Sequence, residues 1–529
     1  MAVIYILVAL VLFLCIVADK FSGKFGMPAL ILFMSIGMLF GCDGILKIQF
    51  DNYELAETVC AIALSFIMFY GGFNTKWKTA KAVAARAVAL STIGVLITSA
   101  LVSVFCYFLL RFNFIESFLI GAVLSSTDAA SVFSILRKKK LNLKDGTAPL
   151  LEIESGSNDP VSYLLTMIGI TIISSGGIEK ITYMIFAQIV FGILIGILVA
   201  LTGVLILTKT NIIPDGLDTI FMIGLVLLAF GLAEITGGNE FLSVYLLGII
   251  IGNSRIKNKK IMITFFDGVT GLAQILTFFL LGLLAYPHKM PQIMLPALLI
   301  ALFMTLVARP IAVFTILKPF QCNIRQCVLI SWAGLRGAAS IVFSIMVVAG
   351  GGDVSFDIFH IVFMVALFSV AIQGTLIPKV AERLNMVDNE SDVRKTFNDY
   401  QEESSLTLMR MYIPDGHNWA DRKISDVSMP TGSLALMIKR DGETIIPNGD
   451  TQILAGDSII LSVPSYESGE KEKLKEIFIG NKHKWKNKSI QNLNLPANVL
   501  IALIKRQDEN LIPSGSTVIL ENDIVVLYK

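Results

Sequence analysis

Residues 151–160 read Leu151-Glu152-Ile153-Glu154-Ser155-Gly156-Ser157-Asn158-Asp159-Pro160, and a largely apolar run continues to Ile173. Thirty residues upstream, Gly121-Ala122-Val123-Leu124-Ser125-Ser126-Thr127-Asp128-Ala129-Ala130 sets another carboxylate inside an apolar stretch. A charge at the centre of a membrane helix costs at least ~3 kcal/mol, so each of these acids needs a reason. Composition decides that the surroundings are membrane. The 529 residues are 54% hydrophobic and 16% charged, against about 25% charged in soluble domains. Even that average joins two unlike parts. Residues 1–381 hold 25 Lys+Arg and 19 Asp+Glu, whereas the 148 residues 382–529 hold 18 and 22. A membrane domain is therefore followed by a soluble tail. The near balance of 43 basic and 41 acidic residues excludes the basic excess of a nucleic-acid binder. The six cysteines (15, 42, 60, 106, 322 and 327) lack zinc-ligand spacing and read as packing residues or free thiols.

About 20 apolar residues cross a bilayer as a helix. Thirteen candidate spans result: 2–18, 27–41, 55–72, 88–110, 114–136, 149–174, 183–207, 217–235, 240–253, 263–286, 292–315, 326–350 and 357–380. No Lys or Arg precedes the first, so it is expected to be a retained helix and not a signal peptide. Alternate loops carry 18 Lys+Arg against 4. This positive-inside bias puts the N-terminus outside and the tail in the cytoplasm. Thirteen spans also allow two inverted six-helix repeats around a central helix, making span 5 the counterpart of span 12. Both are interrupted, by Ser125-Ser126-Thr127-Asp128 and by Gly334-Leu335-Arg336-Gly337. Paired broken helices point to a transport site near the midplane.

A rise of ~1.5 Å per residue sorts the buried charges by depth. Glu154 in span 6 and Arg309 in span 11 both lie about 8–9 Å from the cytoplasmic end, within reach of each other. Asp159 and Arg336 sit near the midplane, about 15 Å deep, with Asp128 somewhat shallower. Carboxylates with Thr, Ser and Asn oxygens suit a dehydrated monovalent cation. A desolvated carboxylate also holds a proton readily, so one group can serve both in turn. Glu154 reads as a structural ion pair and Asp159 as functional, because Asn158-Asp159-Pro160 is expected to break span 6. Asp267, Glu234, Glu240 and Glu116 fall near span ends and are expected to be solvated. The four histidines (288, 360, 417 and 483) form no metal set, and no catalytic or P-loop motif occurs.

These motifs, with Gly237-Gly238-Asn239-Glu240-Phe241-Leu242-Ser243-Val244-Tyr245 and Gly334-Leu335-Arg336-Gly337-Ala338-Ala339, resemble the NhaP-like branch of the monovalent cation:proton antiporters along most of residues 1–381. The resemblance implies thirteen helices, crossed broken helices 5 and 12, and a homodimer. It implies that Asp159 alternates between proton and cation, that Asp128, Ser155 and Thr127 line or support that site, and that Glu154 pairs with Arg309. Asn158 stands where electrogenic relatives carry a second aspartate, which implies electroneutral exchange. Ala338-Ala339-Ser340 departs from the family's usual Ala-Val-Pro, so the resemblance does not fix where span 12 breaks.

In the tail, 413–461 aligns without gaps to 479–527, with 18 of 49 positions identical. Each copy reads as short strands around a Pro-Asn-Gly or Pro-Ser-Gly turn and resembles the C-terminal half of RCK domains (the TrkA-C type), on Lys439-Arg440-Asp441-Gly442-Glu443 through Asp450. No Gly-x-Gly-x-x-Gly follows a strand, so the NAD-binding half is missing. Two readings of the tail stay open: a module binding a regulatory nucleotide, such as a cyclic dinucleotide, or a dimerisation module without ligand. His417, His483, Trp419 and Trp485 read as core residues. The sequence thus specifies an α-helical polytopic membrane protein of about 13 spans (1–381), a linker (382–403) and two small α+β cytoplasmic domains (404–464 and 465–529). The expected activity is exchange of potassium, or sodium, for protons in a bacterial inner membrane, with no resident cofactor. The alternative is an RCK-regulated cation channel, although a Thr-Val-Gly-Tyr-Gly filter is absent. A membrane enzyme has no visible catalytic set.

Overall fold

The computed structural model describes residues 2–388 except 26–27, 140, 175–176, 211–212, 215, 257 and 351–356, and residues 406–528 except 428, 430–432, 441–442, 465–473, 481–482, 494, 496–499, 507–508, 512 and 522. Most of the expected linker, two of the loop lysines (Lys140 and Lys257) and parts of both tail motifs thus lie outside the described residues. The chain divides into two compact units, Met1–Gln401 and Glu402–Lys529.

In the first unit, nine helical segments among the described residues are long and apolar enough to cross a membrane. Ala29–Phe40, Glu240–Gly252 and Ala338–Ala349 are shorter apolar helices on spans 2, 9 and 12. Thr147–Ile173 falls on span 6. Most residues of segment 114–136 are buried and few of the first helix are, so span 5 is central and span 1 peripheral. Tyr53–Asn74 packs on Glu240–Gly252 and Lys259–Leu284, with Ala29–Phe40 and Ile178–Lys209 outside them. Phe114–Leu124, Thr147–Ile173, Met290–Phe303, Ala338–Ala349 and Ile358–Phe368 form a second bundle. The two meet where Ala338–Ala349 crosses Tyr53–Asn74.

Local backbone departures collect in the second bundle. Wide π turns interrupt spans 4, 11 and 13 at Leu90–Gly94, Met304–Ala308 and Ser369–Gly374. Each inserts an extra residue and so turns every later side chain about the helix axis. Span 5 breaks between Phe114–Leu124 and Ala129–Lys138, and span 12 between Ile324–Trp332 and Ala338–Ala349. The departure at Ala338-Ala339-Ser340 therefore leaves the span 12 break intact. Span 6 differs from expectation. Thr147–Ile173 runs unbroken for 27 residues through Pro160. Proline removes one backbone donor, but dense packing can carry a membrane helix across it. Here Asn239 Nδ2 also donates to the Pro160 carbonyl at 2.9 Å. Beyond Arg383 the chain stays on this unit, the Asp388 N–H donating to the Asn142 carbonyl at 2.9 Å.

In the second unit each copy is a four-stranded antiparallel sheet. The first is formed by β1 (Leu406–Tyr412), β2 (Leu434–Arg440), β3 (Glu443–Ile445) and β4 (Ser458–Pro464), in the order β1-β4-β2-β3. The second repeats that order with Leu474–Phe478, Leu500–Arg506, Glu509–Leu511 and Ile524–Tyr528. Among the described residues, the helical content of each copy is one 3-10 turn. Buried Ile413, Ile438, Ile453 and Ile459 form the first core, and Ile479, Ile504, Ile519 and Val525 the second. The duplicated Arg-Asp spacing becomes a two-pronged ion pair in each: Arg440 on Asp457 at 2.8 and 2.7 Å, and Arg506 on Asp523 at 2.9 and 2.8 Å. Trp419 and Trp485 pack half-buried on these cores, and each donates its backbone N–H to the histidine two residues before it.

Candidate functional site

The two helix breaks cross and satisfy each other's backbone. The Asp128 N–H donates to the Leu335 carbonyl at 2.8 Å. Arg336 Nη1 donates to the Ser125 and Ser126 carbonyls at 3.1 and 2.5 Å. Those oxygens end the Phe114–Leu124 helix, where orphan carbonyls concentrate negative charge and a guanidinium is favourable. The Arg336 N–H is held by Ser369 Oγ at 3.1 Å, and Ser369 in turn donates to Gln373 Oε1 at 2.6 Å. The π turn of span 13 thereby braces the break of span 12. Gly337 is required by contact, because a Cβ there would overlap the Asp128 carboxylate.

Asp128 begins the second half of span 5. Its carboxylate accepts from the Ser131 N–H at 3.1 Å and from the Ser131 hydroxyl, an N-cap that satisfies donors left by the break. Ser155 bridges the same break, donating to the Thr127 carbonyl at 2.8 Å and accepting from the Ala129 N–H at 2.9 Å. Asp159, one turn further along span 6, accepts the Ser126 hydroxyl.

Glu154 and Asn158 share the neighbouring stripe of that helix. Arg309 Nη1 lies 3.0 Å from Glu154 Oε1 with both side chains buried. Asn158 Nδ2 donates to Glu154 Oε1 at 3.0 Å and to Thr127 Oγ1 at 2.5 Å, and Thr127 Oγ1 donates to Glu154 Oε2 at 3.2 Å. The expected cation-site residues therefore split into two groups. Asp159, Asp128 and Ser155 gather at the break, whereas the Asn158 side chain turns to the Glu154–Arg309 pair, with Thr127 between the groups. Spacing alone held that clue, since residues four apart share a helix face. It pairs Ser155 with Asp159 and Glu154 with Asn158.

Asp159, Asp128, Ser155 and Thr127 line a cavity of about 580 Å³ that extends past Asp19 and Asn74. Asp19, Asp128, Glu152, Asp159 and Asp267 face it, and its described lining holds no Lys or Arg. Arg309 and Arg336 stand against the carboxylates of Glu154, Asp128 and Asp159 around the crossing.

Two acids expected to be solvated are buried, and a third is half-buried on the cavity. Glu116 is buried and closes a capping box with Asn113. Glu240 is buried in the first turn of its helix and bonded to the Tyr163 hydroxyl. Asp267 lines the cavity and accepts the Tyr70 hydroxyl at 2.9 Å. Hydropathy placed all three near span ends and carries no sign of what packs beside them. Ser126 and Ser131, the hydroxyl partners of the two aspartates, were visible only as motif neighbours. All six cysteines are free thiols, and no group of three or more His, Cys, Asp or Glu among the described residues is arranged to hold a metal ion.

Residues 8–383 match the family described as "Sodium/hydrogen exchanger, transmembrane", and residues 408–467 and 474–528 each match the TrkA-C domain. The chain is 30% identical over 459 residues to the K(+)/H(+) antiporter NhaP2 of Shewanella oneidensis, covering 86% of this chain and 80% of that one. It is 32% identical over 462 residues to the K(+)/H(+) antiporter NhaP of Alkalimonas amylolytica, with the same coverage. Among solved structures, the sodium proton antiporter MjNhaP1 of Methanocaldococcus jannaschii is similar in fold, with a TM-score of 0.62 at 22% identity over 69% of this chain and 97% of that one.

Proposed function

Because this chain belongs to the sodium/hydrogen exchanger family, we propose that it exchanges a monovalent cation for a proton, one for one, at Asp159. Such a protein is a transporter and not an enzyme. The observation that carries the proposal is the position of Asp159, buried beside the helix crossing and open to a cavity whose described lining bears only acidic charge. Ionised, its carboxylate is a hard oxygen ligand for a cation. Protonated, it is neutral and releases the cation. The Ser126 hydroxyl, fixed by the break, orients the carboxylate. Asp128 and Ser155 hold the break open at the right place. The neutral Asn158 beside Asp159 leaves a single carboxylate at that point of the helix, which supports electroneutral exchange. Glu154 and Arg309 then form a permanent pair, with Asn158 and Thr127 donating further hydrogen bonds to the Glu154 carboxylate.

Potassium is the favoured cation. It is named for the two K(+)/H(+) antiporters compared above, whose alignments are long enough to reach into the tail. Sodium is the alternative, as named for the similar structure. The loop charges orient the N-terminus outside and the tail in the cytoplasm, where paired TrkA-C copies regulate transport in a homodimer. The cavity then opens inward, and alternating access carries the loaded Asp159 to the other side. The test is exchange in proteoliposomes holding an imposed pH gradient. Potassium or sodium addition dissipates the gradient with the wild-type protein and does not with Asp159→Asn. Cation-driven proton movement surviving in Asp159→Asn sinks the assignment.

A further inference from the structure

Asp267 has no part in the exchange step described above, yet it lies within a membrane-crossing helix. It stands eight residues beyond the start of Lys259–Leu284, about 12 Å along the axis, and lines the cavity. An ionisable side chain within a span that faces a cavity marks an ion pathway. Its helix packs with Tyr53–Asn74 in the first bundle, whereas Asp159 belongs to the second. The two acids therefore face one cavity from opposite bundles. Tyr70, on Tyr53–Asn74, donates its hydroxyl to Asp267 Oδ1 at 2.9 Å and lines the same cavity.

The wall around this pair is built for space. Gly271 follows Asp267 by one turn, Gly71 follows Tyr70 directly, and both line the cavity. A Cβ at either meets nothing within 4 Å. Glycine inside a helix costs about 1 kcal/mol relative to alanine, and no neighbour here demands it. What both glycines give is cross-section, beside a fixed negative charge on the way to Asp159.

We propose that Asp267, oriented by Tyr70, captures the cation on the first-bundle wall of the cavity and so sets the apparent cation affinity of exchange. This rests on Asp159 being the exchange site. A carboxylate in a cleft with low-dielectric walls raises local cation concentration, and added salt screens the effect. Tyr70 is a positioning residue that acts through Asp267.

The experiment uses the full chain in proteoliposomes, with potassium titrated at low and high N-methylglucamine chloride. Asp267→Asn raises the apparent KM about three- to tenfold at low salt, within the range such focusing supplies, and kcat stays close to wild type. High salt raises the wild-type KM by a larger factor than that of Asp267→Asn, whose cavity keeps Asp19 and Glu152. Asp267→Glu restores the low KM, and Tyr70→Phe gives a smaller rise in KM. An unchanged KM in Asp267→Asn overturns the proposal. So does a fall in kcat and thermal stability shared by Asp267→Asn and Asp267→Glu, which is the mark of a structural role. Asp159→Asn run in parallel separates the two readings. If it is inactive while Asp267→Asn keeps the wild-type KM, only the capture role fails. If it still exchanges, the exchange site fails, and the capture role with it.

Discussion

Replacing Arg309 with methionine removes one partner of a fully buried ion pair and leaves most of the packing volume. Glu154 then keeps only the Asn158 amide at 3.0 Å and the Thr127 hydroxyl at 3.2 Å as donors. Leaving one charge of a buried pair uncompensated costs about 3–5 kcal/mol, a large share of a typical net stability of roughly 5–15 kcal/mol. With an unfolding entropy of about 2 cal/mol/K per residue over Met1–Gln401, the melting temperature should fall by about 4–6 °C. Adding Glu154→Gln discharges the remaining partner and should recover at least half of that loss, because pairs in direct contact are non-additive. Thermal unfolding in detergent, followed by loss of the monodisperse chromatographic peak, measures both variants. Proteoliposome flux with potassium against sodium should show an unaltered preference in the surviving protein. An Arg309→Met protein of wild-type stability with inverted cation preference would refute the reasoning, because it would place the pair in the ion path.

The remaining expectations concern the crossing and the tail. Gly337→Val drives two methyl groups into the Asp128 carboxylate, so exchange should be lost along with stability, by roughly 1–3 kcal/mol as for overpacking elsewhere. Normal flux in that variant would show that the two breaks separate freely. In the tail, hydrogen bonds from Arg440 hold the Asp457 carboxyl below its ordinary range despite burial. For Asp523, burial pushes upward, but Arg506 and the Leu520 N–H prevail. Depressed carboxylates contribute stability that is full above the unfolded value near about 4 and is lost as pH falls through the folded value. Urea titrations followed by tryptophan fluorescence should therefore show the tail weakening below about pH 4, and weakening less in Asp457→Asn/Asp523→Asn. Equal acid sensitivity in that variant would exclude the two ion pairs as the cause.

How much of this was legible beforehand follows from what a linear pattern encodes. Hydrocarbon favours apolar helices, so most span positions, the shift to a charged tail and the two broken helices could be read from the linear pattern. A fixed rise per residue likewise gave the common depth of Glu154 and Arg309. Depth does not give direction. Nothing in the one-dimensional pattern says toward which neighbour a helix face turns, and π turns in spans 4, 11 and 13 shift that direction midway along the helix.

The sequence by itself therefore determined the membrane-spanning class, the acids and arginines gathered around the crossing, and the duplicated tail, because hydropathy, charge and repetition are properties of the chain. Tertiary packing decided the rest. It carried span 6 unbroken through Pro160, turned Asn158 toward Glu154, made Asp128 a helix cap, buried Glu116 and Glu240, and brought Asp267 to the cavity shared with Asp159. Each of these depends on which helices touch and at what rotation, and only the packed bundle fixes that.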